Sequence, residues 1–195
     1  MPKGYRINVK NLKFALVTTN SEEAYEIGEV KKVPGLMALD FTPIMATGQL
    51  FGDGELAEDM ARLTGATVKI DANKVPIDIR AMITGSTYKE GILDIATTDT
   101  PPEIAMYGET EASNGTKEQL WFLCGKVQPF GISGKQQEGN ISYSTDTLTI
   151  GCKPRKIDHK VVRYADTEND GITKENSAKL ELHPDMKTAA QTTTA

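Results

Sequence analysis

The sequence predicts a mainly β protein: an antiparallel β-sandwich or barrel with one short α-helix on its flank. Three observations carry this. Apolar and polar residues alternate with period two in many short runs. Turn pairs such as Pro34-Gly35 and Asn114-Gly115 separate those runs. Only the stretch 76–84 has convincing helical spacing.

Taken in order, residues 1–11 are polar and read as an arm. Residues 12–18 are a first strand, 20–26 a loop or single turn, and 29–33 a short strand stopped by Pro34-Gly35. Residues 36–43 alternate, with Met37, Leu39 and Phe41 on one face and Ala38, Asp40 and Thr42 on the other. Residues 66–72 return, with Val68 and Ile70 opposed to Thr67, Lys69 and Asp71. Between them, about 46–60 reads as a long acidic loop with a Gly52-Asp53-Gly54 tip, since glycine tolerates the positive φ of a tight reversal. Pro76 suits a first helical position, Asp78 complements the helix dipole, and Ile79, Met82 and Ile83 make one apolar stripe before Gly85 stops the helix. A helix this short needs a sheet to pack on.

Residues 86–103 read as a loop with one short strand near 91–96. Strands follow at 104–108 and 119–127, the latter apolar enough to be buried on both faces. Residues 131–139 are a glycine-rich loop. Residues 141–143 and 147–152 alternate again, with Leu148, Ile150 and Cys152 on one face. Residues 160–165 are a last strand and 166–171 a polar turn. One domain is therefore expected over 1–171, with 172–195 a C-terminal tail whose order the sequence leaves open.

The chain has 195 residues, with 27 acidic and 22 basic side chains and a formal charge of -5. That balance argues against a domain that grips nucleic-acid phosphate, while allowing one that nucleic acid slides past. The basic N-terminus lacks the apolar stretch of a signal peptide, and no run is long enough to span a membrane. Cys124 and Cys152 sit in apolar strands and read as reduced core thiols.

Several motifs imitate chemistry. Gly52, Gly54 and Ala57 spell G-x-G-x-x-A, followed by Leu56, Met60 and Leu63 at helical spacing and a strand ending in Asp71, the outline of a dinucleotide-binding enzyme. Against it, Asp53, Glu55, Glu58 and Asp59 would crowd a pyrophosphate. Asp166, Glu168, Asp170 and Gly171 imitate a calcium loop but lack its closing glutamate. His159 and His183 have no zinc-spaced partner, and Ser133 lacks a nucleophile elbow. Glu22, Glu23, Glu109 and Glu111 read as solvated acids, and Trp121 as core rather than a carbohydrate platform. No catalytic constellation, metal site or cofactor is expected, and the chain is read as a non-enzyme.

The ordered set of segments resembles the major tail protein, the tail tube subunit, of long-tailed phages of Gram-positive bacteria. The pieces are GYRINVKNLKFALVTT, EVKKVPGLMALDFTP, LFGDGELAED, VKIDANKVPIDIRAMITGSTYKEG and PPEIAMYGETEASNGTKEQLWFLCGKVQP, together spanning about 4–171. The resemblance implies a β-sandwich with a flanking helix. Its subunits form hexameric rings that stack into a hollow virion tail tube, assembled in the bacterial host cytoplasm. The tube encloses a tape-measure protein, meets tail terminator and distal tail proteins, and conducts the DNA genome; no membrane is involved. A phage-derived bacteriocin or secretion tube would read the same way. Under this resemblance Asp40, Thr42, Thr67, Lys69 and Asp71 are expected to line the lumen. Gly48, Phe51, Gly52, Asp53, Gly54, Glu55, Glu58 and Asp59 are expected to form a ring-stacking loop.

Overall fold

The computed structural model describes residues 4–52, 55–132, 134 and 144–187. Its strands are β1 (Arg6–Asn20), β2 (Tyr25–Ile27), β3 (Lys31–Val33), β4 (Leu36–Gly52), β5 (Glu55–Ala72), β6 (Thr87–Lys89), β7 (Ile92–Asp94), β8 (Ile104–Ala112), β9 (Lys117–Val127), β10 (Asp146–Cys152) and β11 (Val162–Asp166), and its helices are α1 (Ile77–Thr84) and α2 (Lys174–Leu182). Among the described residues, nine strands make one antiparallel sheet ordered β2-β1-β8-β9-β10-β5-β4, with β3 on β1 and β11 on β9; β6 and β7 form a separate hairpin. The fold is the expected mainly β sandwich, with a second helix added.

The sheet folds over itself because β5 and β10 each carry one apolar face. Val68, Ile70, Leu148 and Ile150 are almost fully buried, each worth about 2 kcal/mol over exposure. They face Leu12, Phe14, Met106 and Phe122, and α1 closes the same core with Ile79 and Ile83. Phe41 tilts against Phe122 with ring centroids 5.5 Å apart. Leu39 lies so near Gly108 that a β-carbon there would sit 3.2 Å from its Cδ1. Gly85 ends α1 in the left-handed region, its N–H donating to the Ala81 carbonyl.

The central strands β1, β8 and β9 are buried on their other face too, around Tyr107, Trp121 and Leu123. There α2 supplies the cover. Thr173 caps it, accepting the Asn176 N–H at 3.1 Å. Leu180 is its one buried side chain, and polar bonds do the rest. The Trp121 indole N–H donates to the Leu180 carbonyl at 2.5 Å, Ser177 and Gln119 bond each other, Lys13 reaches Glu181, and Arg155 pairs with Asp185. The ordered domain therefore runs past residue 171 to at least 187. Low apolar content hid this helix; its cap and the Glu175–Lys179 pair four residues apart were the legible signals.

Just beyond α2, His183 is buried, its Nδ1 accepting the Asp185 N–H at 3.0 Å. Burial pushes its pKa below the ordinary 6.5, with Asp185, Lys187, Glu26 and Arg155 as the charged neighbours. A depressed histidine pKa favours the neutral form in the fold. Its stabilisation is present above pH 6.5 and declines as pH falls below that value toward the folded pKa. Amide protection in 174–187, taken relative to the intrinsic exchange rate at each pH, is expected to fall between pH 7 and 5 in the wild type, and less so in His183→Phe; equal pH dependence would exclude the imidazole as the cause.

Three further differences have simple causes. The polar N-terminal stretch is strand from Arg6, because its charges pair across the sheet, Arg6 with Glu118 and Lys10 with Glu111. Residues 86–103 hold the β6–β7 hairpin, turned by Glu90 and Gly91 at positive φ. Glu109, read as solvated, is fully buried, accepting from Tyr107 at 2.6 Å and Asn11 at 2.7 Å. In return the Tyr107 hydroxyl, buried beside that carboxylate, is pushed far above its ordinary pKa.

Candidate functional site

The stretch expected to be a long loop at 46–60 is instead the outer half of a hairpin. β4 and β5 pair almost without interruption from Leu36–Ala72 to Gly52–Glu55. Seventeen residues of strand reach about 55 Å at roughly 3.3 Å per residue. The neighbouring β10 pairs with β5 only over Ala66–Ala72. Among the described residues the two strands therefore have only each other beyond Ile44, for about 26 Å from Met45 to Gly52. Apolar side chains stay in water there: Met60 is 60% exposed and Met45 49%, and Ile44 and Leu63 are nearly as open. An isolated two-stranded hairpin is marginal in water.

Of the expected stacking residues, Gly48, Glu58 and Asp59 are exposed on this arm. Phe51, Gly52 and Glu55 are strand by their backbone, and Asp53 and Gly54 lie outside the described residues. The run containing Leu56, Met60 and Leu63, which the dinucleotide outline requires as a helix, is β-strand.

All five expected lumen residues come together on the outward face at the arm's root. Asp40 lies opposite Lys69, Thr42 opposite Thr67, and Ala38 opposite Asp71. The face continues onto β10, where Thr147 opposes Asp71 and donates to its Oδ1 at 2.5 Å, and Thr149 opposes Lys69. It reaches β9 at Lys126, opposite Gly151. Thr147, Thr149 and Lys126 were missed, although the alternation of Leu148, Ile150 and Cys152 had placed the two threonines on the other face. Four charged side chains of mixed sign and four threonines make a wet, charge-balanced surface with no cradle for an anion.

The imitated motifs are turns and core. Asp166 Oδ1 accepts the Glu168 N–H at 2.8 Å, and Asn169 Oδ1 the Gly171 N–H at 3.0 Å, so these oxygens set a local turn. His159 is exposed and Trp121 fully buried, as read from the sequence. Ser133 lies outside the described residues. Cys124 donates to Glu103 at 3.0 Å, and burial with that carboxylate raises its thiol pKa to about 12; burial alone raises Cys152 to about 12. Burial works against the Glu103 carboxylate, but bonds from Cys124, Lys153 and Asn20 outweigh it and lower the pKa to about 2. Neither thiol is a nucleophile near neutrality. Both are expected to resist a disulfide reagent at pH 8 in the native protein and to react within minutes in denaturant; fast native labelling would overturn this.

No protein-family model matches the chain, and no curated protein matches it.

Proposed function

We propose that this chain is a structural subunit that assembles with copies of itself into rings stacked as a hollow tube. One observation carries the reading: a long hairpin arm with exposed apolar side chains and, among the described residues, no strand partner within its own subunit. A sheet edge of this length invites pairing with another chain, and closed assembly removes it. The polar face at the arm's root suits the bore. Its balanced charge lets a polyanion pass without being held, which fits a tail tube that encloses a tape-measure protein and conducts DNA.

Negative-stain electron microscopy across a hundredfold range of concentration tests this. Rings or hollow tubes are expected. Monomers throughout, with saturable dinucleotide binding, would favour the enzyme instead. A second test changes the bore. Asp40→Lys with Asp71→Lys moves each subunit's face strongly toward positive charge and touches no core contact. Tubes should still form but now retain labelled duplex DNA at low salt, with release as salt rises, and virions carrying them should eject slowly. Unchanged ejection and no retention would remove this face from the lumen.

A further inference from the structure

Residues 183–186 form a tight turn whose shape depends on one ring nitrogen. The Met186 N–H donates to the His183 carbonyl at 2.9 Å, and Met186 sits in the left-handed region with a φ of 56°. Inside the turn the Asp185 N–H donates to His183 Nδ1 at 3.0 Å. Asparagine and aspartate oxygens commonly hold a backbone N–H two residues on; here an imidazole does so. With Nδ1 accepting, the neutral ring carries its proton on Nε2, which is buried and finds no acceptor among the described residues.

The turn aims Asp185. Arg155 Nη1 reaches both of its carboxylate oxygens, at 3.0 and 2.8 Å, and Arg163 reaches the same carboxylate at 3.0 Å and the Pro184 carbonyl. Arg155 is itself buried, lies 4.7 Å from the centre of the Tyr25 ring and shares Asp158. Lys187 ties the end of the segment to Glu26 on β2. The charges facing the imidazole are Asp185 and Lys187 from its own segment, Glu26 from β2 and Arg155 from the connection between β10 and β11. Arg163 on β11 and Asp158 stand one contact further out.

Burial of a neutral ring by itself would only loosen α2 in acid. The turn makes the loss specific. A second proton enters at Nδ1 and turns the acceptor into a donor that faces the Asp185 N–H. The geometry points to a proton-operated latch: protonation of His183 opens the 183–186 turn, releases Asp185 from Arg155 and Arg163, and lets α2 lift from the Trp121 face while the sheet stays folded. The latch is independent of the tube reading.

The Trp121 indole N–H is the probe, because it donates to the Leu180 carbonyl and is shielded while α2 is docked. Its exchange is followed by NMR in the full chain, relative to the intrinsic indole rate at each pH. Protection should hold above the ordinary histidine value of 6.5 and fall below it by at most about tenfold per pH unit, since one proton is taken up. It should level off once the native ring itself titrates, and amides of β5 and β10 should keep their protection. His183→Asn supplies an acceptor that takes up no proton. Its indole protection at pH 7 should stay within about threefold of wild type, with no fall toward pH 5. Flat wild-type protection between pH 7 and 5 would overturn the latch, as would sheet amides that lose protection in parallel. So would a folded His183→Asn that shows the wild-type fall. Should that variant fail to fold, the native ring decides by its own NMR titration: titration at 6.5 overturns the latch, and titration below it, with protection levelling there, sustains it.

Discussion

On the proposed tube reading, replacing residues 46–62 with Asn-Gly is expected to yield a folded subunit that forms no tubes. Met45 and Leu63 are cross-strand partners, so a two-residue turn closes the shortened hairpin in its native register. No described core residue lies in the deleted stretch; the buried run of β5 begins at Gly65 and Ala66. The removed side chains that are described are exposed, so their loss costs the subunit little; surface changes fall within about 0.5 kcal/mol. For a chain of this size that is a melting shift of about 2 °C. The proposed assembly would lose the whole arm contact, so tubes are expected at no accessible concentration. The comparison is a melting curve beside micrographs of the shortened chain. Tubes from it would place stacking elsewhere, and a collapse in stability would make the arm part of the core.

The sequence and the structure agree where one strand face is buried and the other wet. There the period-two pattern has a physical cause, so Asp40, Thr42, Thr67, Lys69 and Asp71 could be placed on one face before any coordinates. Beyond Ile44 the described side chains on both faces of the hairpin meet solvent. No burial then sorts apolar from polar positions, and Gly48, Gln49, Asp59 and Met60 follow one another without a readable period. The reversal near Gly52 was legible; the strands leading to it were not. Burial on both faces erases the period just as thoroughly. It hid Glu109, whose buried carboxylate accepts from Tyr107, two residues before it on the same strand, and from Asn11, 98 positions away in the chain. The helix α2 was hidden for a third reason: it docks by hydrogen bonds and charge, with Leu180 alone in the core, so it has no apolar stripe to find.

That mode of docking makes Trp121→Ala the most damaging single substitution expected. Trp121 is fully buried, its ring centroid 5.1 Å from that of Tyr107, and its indole N–H holds the Leu180 carbonyl. Truncation of a buried tryptophan costs about 4 kcal/mol. That lowers the melting temperature by about 10 °C. The loss also falls on one element. A nine-residue helix cannot persist alone, and without Trp121 its ties include the buried Leu180, Ser177–Gln119 and Lys13–Glu181, with the Asp185 pairs just beyond its end. In the variant, α2 should detach before the sheet melts, so trypsin should cut after Lys174 and Lys179 while the β-sheet core stays resistant. Trp121→Phe separates the two contributions. It keeps most of the apolar burial and removes the donor, so it should cost about 1–2 kcal/mol and leave the helix largely protected. If tryptic cleavage in α2 is as slow in Trp121→Ala as in the wild type, the helix is held by its ionic ties, and the tryptophan belongs only to the core beneath it.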